Sequence, residues 1–235
     1  INIKEMNSLE KGLYIVSTPI GNLADLSSRA KLILESVDIV ICENPNHSLK
    51  LLNNLGIKKK LLSLHDYNEI TLIKRIEKYQ RNSSIALISD AGTPTISDPG
   101  YGLIRDCIKH DIVIVPIPGV SAITAAMSVS GLPSDSFTFV GFLPQKKGRL
   151  KKIELLKNIE NTVILFESPY RLEKTLNQLL EHLGNRSVVV GRELTKLYEE
   201  VIRGNLTDVI KYFSKSKVKG EIVIMIGKDD DRINF

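Results

Sequence analysis

The chain has 235 residues, 43% of them hydrophobic and 25% charged, which excludes a disordered polypeptide and supplies material for one large or two modest cores. Its 32 Lys and Arg against 27 Asp and Glu leave a net charge of +5, favouring a polyanionic partner, nucleic acid foremost. The two cysteines, Cys42 and Cys107, and four scattered histidines without HxxxH or HExxH spacing exclude a disulfide framework and point away from a metal centre.

In chain order, residues 1–10 are mostly polar and lack the apolar stretch of a secretory signal, so a cytoplasmic protein is expected. Apolar runs at 13–16, 37–42, 85–88 and 112–115 alternate with helix-period segments at 27–34, 48–55, 71–79 and 103–109. This rhythm predicts parallel strands joined by helical crossovers, with a short run at 61–64 as a further strand at the sheet edge. The uncharged stretch 112–134 has the length of a membrane span, but Pro116, Pro118 and Gly119 break it into a strand, a turn and a small-residue helix over 121–130. No membrane association is expected.

Gly131, Leu132 and Pro133 punctuate the chain where a second half begins. Strands near 137–142, 162–166, 187–190 and 222–226, with helices near 150–158, 171–183 and 206–213, predict a second α/β domain. The expected domains are 11–131 and 132–228.

Three strand ends carry specialised turns. The longest is Ser89-Asp90-Ala91-Gly92-Thr93-Pro94-Thr95-Ile96-Ser97-Asp98-Pro99-Gly100; the others are Thr18-Pro19-Ile20-Gly21-Asn22 and Pro116-Ile117-Pro118-Gly119-Val120-Ser121-Ala122. Glycine admits close backbone approach, proline fixes a turn, and α/β folds place ligands at such strand ends. Gly, Pro, Asp and Ser also build ordinary loops, and Asp98 has a second reading as a cap for the helix starting near residue 100. Neither GxxxxGK[ST] nor a GxGxxG fingerprint directly after a strand occurs. The turns therefore suit a ligand without phosphate, such as S-adenosylmethionine.

Seven ordered blocks carry a resemblance: 13–23 (LYIVSTPIGNL), 89–100, 116–122 (PIPGVSA), 137–144, 166–171 (FESPYR), 192–196 (RELTK) and 219–221 (KGE). Together they resemble the tetrapyrrole-methylase superfamily, specifically its ribosomal small-subunit methyltransferase I branch. The resemblance implies two α/β domains of the tetrapyrrole-methylase type with the cofactor cleft between them, usually in a homodimer. It further implies S-adenosylmethionine-dependent methylation of the ribose 2′-oxygen of a decoding-centre cytidine in 16S ribosomal RNA of the small subunit. Carried over by position, Pro19, Asp90, Ala91, Gly92, Thr93, Ile96, Pro118, Gly119, Ser121, Ala122, Phe142 and Leu143 would surround the cofactor.

The same resemblance places Glu43 and the segment His65-Asp66-Tyr67-Asn68-Glu69 on the substrate side. With His47, they supply the candidates for a base that takes the hydroxyl proton: Glu43, His47, His65, Asp66 and Glu69. One departure stands out. Where the branch usually reads Glu-Asp-Thr-Arg-His-Thr, this chain reads Glu43-Asn44-Pro45-Asn46-His47-Ser48, so a carboxylate and a phosphate-gripping guanidinium are missing. The run 145–152, with Lys146, Lys147, Arg149, Lys151 and Lys152, is expected to face RNA. Two alternatives remain at this level: a methylase of a tetrapyrrole or other small molecule, and a non-catalytic ribosome-assembly factor.

Overall fold

The structure is a computed structural model that describes residues 9–65 and 83–228. The expected helix at 71–79 and the candidates Asp66 and Glu69 lie outside the described residues. The chain divides into two compact units, Ile1–Ser121 and Ala122–Phe235.

The first unit is built on β1 (Gly12–Val16), β2 (Ile39–Cys42), β3 (Lys60–Ser63), β4 (Ser84–Ile88) and β5 (Ile114–Ile117), in the spatial order β3-β2-β4-β1-β5. All four neighbour pairings are parallel, so every strand ends at the same edge of the sheet. Helices α1 (Ser28–Ser36), α2 (Pro45–Asn54) and α3 (Tyr101–Lys109) cover it. Alternate strand residues enter different cores. Tyr14, Val16, Val40, Cys42, Ala86 and Ile88 pack with Ala30, Ile33 and Leu34 of α1 and Leu52 of α2, whereas Leu13, Ile39, Ile41, Ile85 and Leu87 pack with Leu103 and Cys107 of α3. Burial on both faces explains why these strands read as continuous apolar runs rather than alternating ones.

The last strand departs from expectation: it spans Ile114–Ile117 rather than 112–115 and contains Pro116. Among the described residues it pairs only with β1, and an edge strand tolerates the missing proline N–H. The short run at 61–64 does form the opposite edge strand, β3.

The second unit holds a mixed sheet of β6 (Phe137–Phe142), β7 (Thr162–Glu167), β8 (Ser187–Arg192), β9 (Glu200–Asn205) and β10 (Ile222–Ile226), ordered β6-β7-β10-β8-β9. Only β6 and β7 run parallel; the remaining pairs are antiparallel. Helices α5 (Arg149–Leu156), α6 (Leu172–Leu183) and α7 (Leu206–Phe213) pack one apolar stripe each onto Val163, Leu165, Val188, Val190, Ile222, Ile224 and Ile226. Helix α4 (Ala122–Ser130) packs on β9 and β10, and Arg203 of β9 donates to the carbonyls of Ser130 and Val129 at its end. These contacts put α4 in the second unit, so the division falls at Ser121/Ala122, ahead of the Gly131-Leu132-Pro133 punctuation.

Candidate active site

In the first unit the connections leaving β1 and β4 lead to helices on opposite faces: α1 shares a core with Tyr14 and Val16, and α3 with Leu13 and Leu87. Adjacent strands whose connections part in this way open a crevice at their carboxyl ends, the usual ligand position in an open parallel sheet. Two of the specialised turns leave from here and are fastened together. Thr18 and Gly92 form an isolated antiparallel bridge, Thr18 N–H donating to Gly92 O at 2.9 Å and Gly92 N–H to Thr18 O at 3.0 Å. Thr18 Oγ1 also donates to Ser89 O at 3.2 Å, and Ser17 Oγ lies 2.9 Å from Thr93 Oγ1.

The turn after β5 joins them. Thr93 Oγ1 donates to Val120 O at 3.4 Å, and a Cβ at Gly119 would meet Ser17 Cβ at 2.9 Å, so only glycine lets these backbones approach. The structure thus brings Pro19, Asp90, Ala91, Gly92, Thr93, Pro118, Gly119 and Ser121 onto three turns at one sheet edge, with Ile96 exposed beyond them. Thr95 and Ser97 hold positive φ of 72° and 65°, a conformation that strains non-glycine residues and is retained where the surrounding structure dictates it. Ala122 begins α4, Phe142 ends β6 and Leu143 follows it, in the second unit.

Carboxylates gather beside these turns. Glu43 follows β2, and Asp90 Oδ1 accepts from Asn44 N–H at 3.3 Å. Burial, with the charges of Glu43 and Asp90, pushes Asp98 up to about 6 against a hydrogen bond from Ser89. Asp98 does not cap α3: the N-cap is Gly100, at φ 124°, with no side-chain capping bond. Its nearness to Glu43 was hidden because Glu43 belongs to a distant segment of the chain.

The departure at Asn44-Pro45-Asn46 forms a sound helix start. Asn44 Oδ1 accepts from the N–H groups of Asn46 and His47 at 3.0 and 3.4 Å, and Pro45 occupies the first turn, where its missing N–H costs nothing. His47 is exposed on that turn. His65 follows β3, next to β2 in the sheet, and Ser63 Oγ donates to Glu43 O at 3.1 Å. Glu43 and His65 therefore stand on neighbouring strand ends, while Glu69 lies outside the described residues.

In the second unit the sequence misjudged one cation. Arg149, expected to face RNA, is 4% exposed. It donates to Gln178 Oε1 at 2.8 Å, Thr175 Oγ1 at 2.6 Å and Pro144 O at 3.2 Å. Glu167, also buried, accepts from Thr175 Oγ1 at 2.6 Å and pairs with Arg171 Nε at 3.2 Å, and Arg171 donates to Leu143 O at 2.6 Å. Burial and the neighbouring Arg171 hold Arg149 below the usual guanidinium range, with Glu167 opposing them. The FESPYR block and Arg149 thus clamp the carbonyls of the Leu143-Pro144 turn. Lys146, Lys147, Lys151 and Lys152 remain exposed.

The RELTK and KGE blocks form a clasp. Lys196 Nζ contacts Glu193 Oε1 at 2.9 Å and Glu221 Oε2 at 3.0 Å, and Glu221 N–H donates to Glu193 Oε1 at 3.0 Å. Burial pushes the Glu193 carboxyl up, but its bonds from Lys196 and the Glu221 backbone outweigh this and hold it below the ordinary value. Among the described residues no group of three or more His, Cys, Asp or Glu could hold a metal ion, and no helix is long and apolar enough to cross a membrane.

A family model of Tetrapyrrole (Corrin/Porphyrin) Methylases matches residues 12–210. The cobalamin biosynthetic enzyme cobalt precorrin-4 methyltransferase shares the fold with a TM-score of 0.68 at 17% identity, over 92% of this chain and 94% of that one. Uroporphyrin-III C-methyltransferase of Thermus thermophilus, solved with S-adenosyl homocysteine, gives 0.65 at 16% identity, over 92% and 97%. The chain belongs to the tetrapyrrole methylase family.

Within it, three relatives carry the name ribosomal RNA small subunit methyltransferase I. That of Mesorhizobium japonicum is 48% identical over 93% of this chain and 76% of its own length. The protein of Halalkalibacterium halodurans is 44% identical over 95% and 78%, and that of Thermotoga maritima 43% over 92% and 99%. This chain is a member of that branch.

Proposed function

We propose that the chain is an S-adenosylmethionine-dependent methyltransferase of small-subunit ribosomal RNA, acting on the ribose 2′-oxygen of a decoding-centre cytidine in 16S RNA. The observation that carries this reading is identity of 43–48% over 92–95% of the chain with proteins named for that RNA. A cytoplasmic homodimer is part of the proposal.

The residues present fit this cofactor. Glu43, Asp90 and Asp98 gather where β2 and β4 end, and burial, reinforced by the charges of Glu43 and Asp90, raises Asp98. A field of that sign suits a sulfonium and an ammonium group and opposes phosphate. S-adenosylmethionine, when bound, supplies the activated methyl group. Asp90 is the proposed partner for its ribose or ammonium group, held in place by the Asn44 N–H, and the fastened turns at Thr18, Gly92 and Gly119 supply the rest of the first unit's share. Phe142 and Leu143 are further residues proposed for the cofactor, and within the second unit the Arg149, Glu167 and Arg171 network fixes the turn that carries Leu143.

The protein's remaining task is to align the hydroxyl and accept its proton. Orientation supplies a large part of the acceleration in such displacements, and a positioned base adds about 10² to 10⁴-fold. Glu43 and His65 on adjacent strand ends, His47 on the first turn of α2, and Glu69 are the proposed candidates. Calorimetric titration of S-adenosylmethionine into wild type and Asp90→Ala tests the cofactor assignment. Loss of at least tenfold in affinity with an unchanged melting temperature is expected; equal affinity overturns it.

A further inference from the structure

The second sheet presents two braced turns on one edge. Ile222 pairs with Glu167 of β7 and with Arg192 of β8, so the turns 168–171 and 193–199 leave the same edge, two interstrand steps or about 10 Å apart. They project Tyr170, Leu197 and Tyr198 into solvent at 87%, 89% and 70% exposure. We infer that this edge is a stacking surface for unpaired nucleotides of an RNA, an assignment that rests on the ribosomal RNA reading above.

Both turns are built to hold these side chains out. The first is fixed by Ser168 N–H donating to Glu167 Oε1 at 2.8 Å and by Arg171 N–H donating to Ser168 O at 3.0 Å. In the second, Thr195 N–H donates to Glu199 Oε2 at 2.6 Å, and Lys196 is held by Glu193 and Glu221. Glu193 and Thr195 there take positive φ of 50° and 68°, strain that persists only where the surroundings impose it. A loop fastened this firmly yet leaving a leucine and a tyrosine in water is organised for a partner.

Charge selects the partner. Lys146 and Lys147 follow β6, whose Phe142 is in register with Phe166 at this edge. Lys217 and Lys219 are exposed just before β10. Of the edge acids, Glu193 and Glu221 share the one ammonium of Lys196, and Glu199 accepts a backbone N–H, so Lys146, Lys147, Lys217 and Lys219 still outnumber the two carboxylates left without a cation of their own. Exposed aromatic rings bordered by surplus lysines are the combination that binds single-stranded nucleic acid, rings stacking on bases and cations following phosphates. A second copy of this chain, equally basic, would be repelled by the same lysines.

The experiment measures binding of the full chain to small subunits lacking the native methylation, and to a single-stranded decoding-region RNA, across a salt series. Tyr170→Ala and Tyr198→Ala should each weaken binding by roughly five- to a hundredfold, with an unchanged salt slope, melting temperature and S-adenosylmethionine affinity. Tyr198→Phe should retain wild-type affinity. Lys147→Ala should instead flatten the slope by about 0.7–0.9. Wild-type RNA affinity in both alanine variants overturns the inference, as does weakened binding that accompanies loss of a dimer in light scattering. If wild type binds neither RNA, the ribosomal reading fails and the inference falls with it; wild-type binding with unaffected alanine variants overturns the inference alone.

Discussion

Thr18 and Gly92 exchange two backbone hydrogen bonds, of 2.9 and 3.0 Å, between the turns that leave β1 and β4. The residues are distant in sequence, but their strands are neighbours. The bridge fixes the spacing of two turns whose following helices lie on opposite faces of the sheet.

Gly92 holds φ at 82°, and a Cβ there would lie 3.4 Å from Ile20 Cγ2. Gly92→Ala should cost about 1–2 kcal/mol through left-handed strain and weaken S-adenosylmethionine binding about tenfold by shifting the Asp90 turn. Thermal unfolding and calorimetric titration of one preparation check both effects. Unchanged affinity would remove the Gly92 turn from the cofactor site.

Arg149 and Lys147 lie two positions apart and should behave as different kinds of residue. Arg149→Ala leaves Glu167 without one cation and strips donors from Thr175, Gln178 and Pro144; breaking a buried pair of this kind costs about 3–5 kcal/mol. Lys147 is exposed, and Lys147→Ala should leave the denaturation midpoint in place. Chemical denaturation of both variants gives the comparison.

Gly220 holds φ at 93°, and a Cβ there would lie 2.4 Å from Glu193 Cδ. Gly220→Ala should destabilise the protein by about 2 kcal/mol, as strain and overpacking act together. Glu193→Ala combined with Gly220→Ala should cost less than the sum of the single changes, because the collision is gone. Strict additivity in denaturant melts would contradict the clasp.

Asp98 binds its proton more tightly when folded, its carboxyl being raised from 3.8 to about 6 by burial, Glu43 and Asp90. The folded state therefore holds more protons than the unfolded state between these values, and stability falls as pH rises through that window. Asp98→Asn should remove the penalty, stabilising the protein at pH 7.5 by about 1 kcal/mol after allowance for solvent screening and leaving it unchanged near pH 3. Melting curves at the two pH values test the sign.

Much of this arrangement was legible in the sequence. The buried strands of the first unit announced themselves as uninterrupted apolar runs, and the Gly and Pro turns after β1, β4 and β5 marked the edge that the Thr18 and Gly92 bridge organises. β9 was not legible: Glu200–Asn205 is a short edge strand mixing Glu, Arg, Gly and Asn, and neither periodicity nor composition separates it from a loop. Arg149 was misread because a basic run looks the same whether its cations meet solvent or one of them turns inward to Glu167. The carboxylates Glu43, Asp90 and Asp98 and the Lys196 clasp depend on contacts between distant segments, which no local pattern records.

The proposed reaction is methyl transfer to a ribose of small-subunit RNA. It is tested most directly by incubating the protein with labelled S-adenosylmethionine and small subunits lacking native methylation, then mapping 2′-O-methyl groups at nucleotide resolution. One new mark on a decoding-centre cytidine is the predicted result. Absence of transfer, with cofactor binding intact and a related enzyme active in the same assay, would contradict the account.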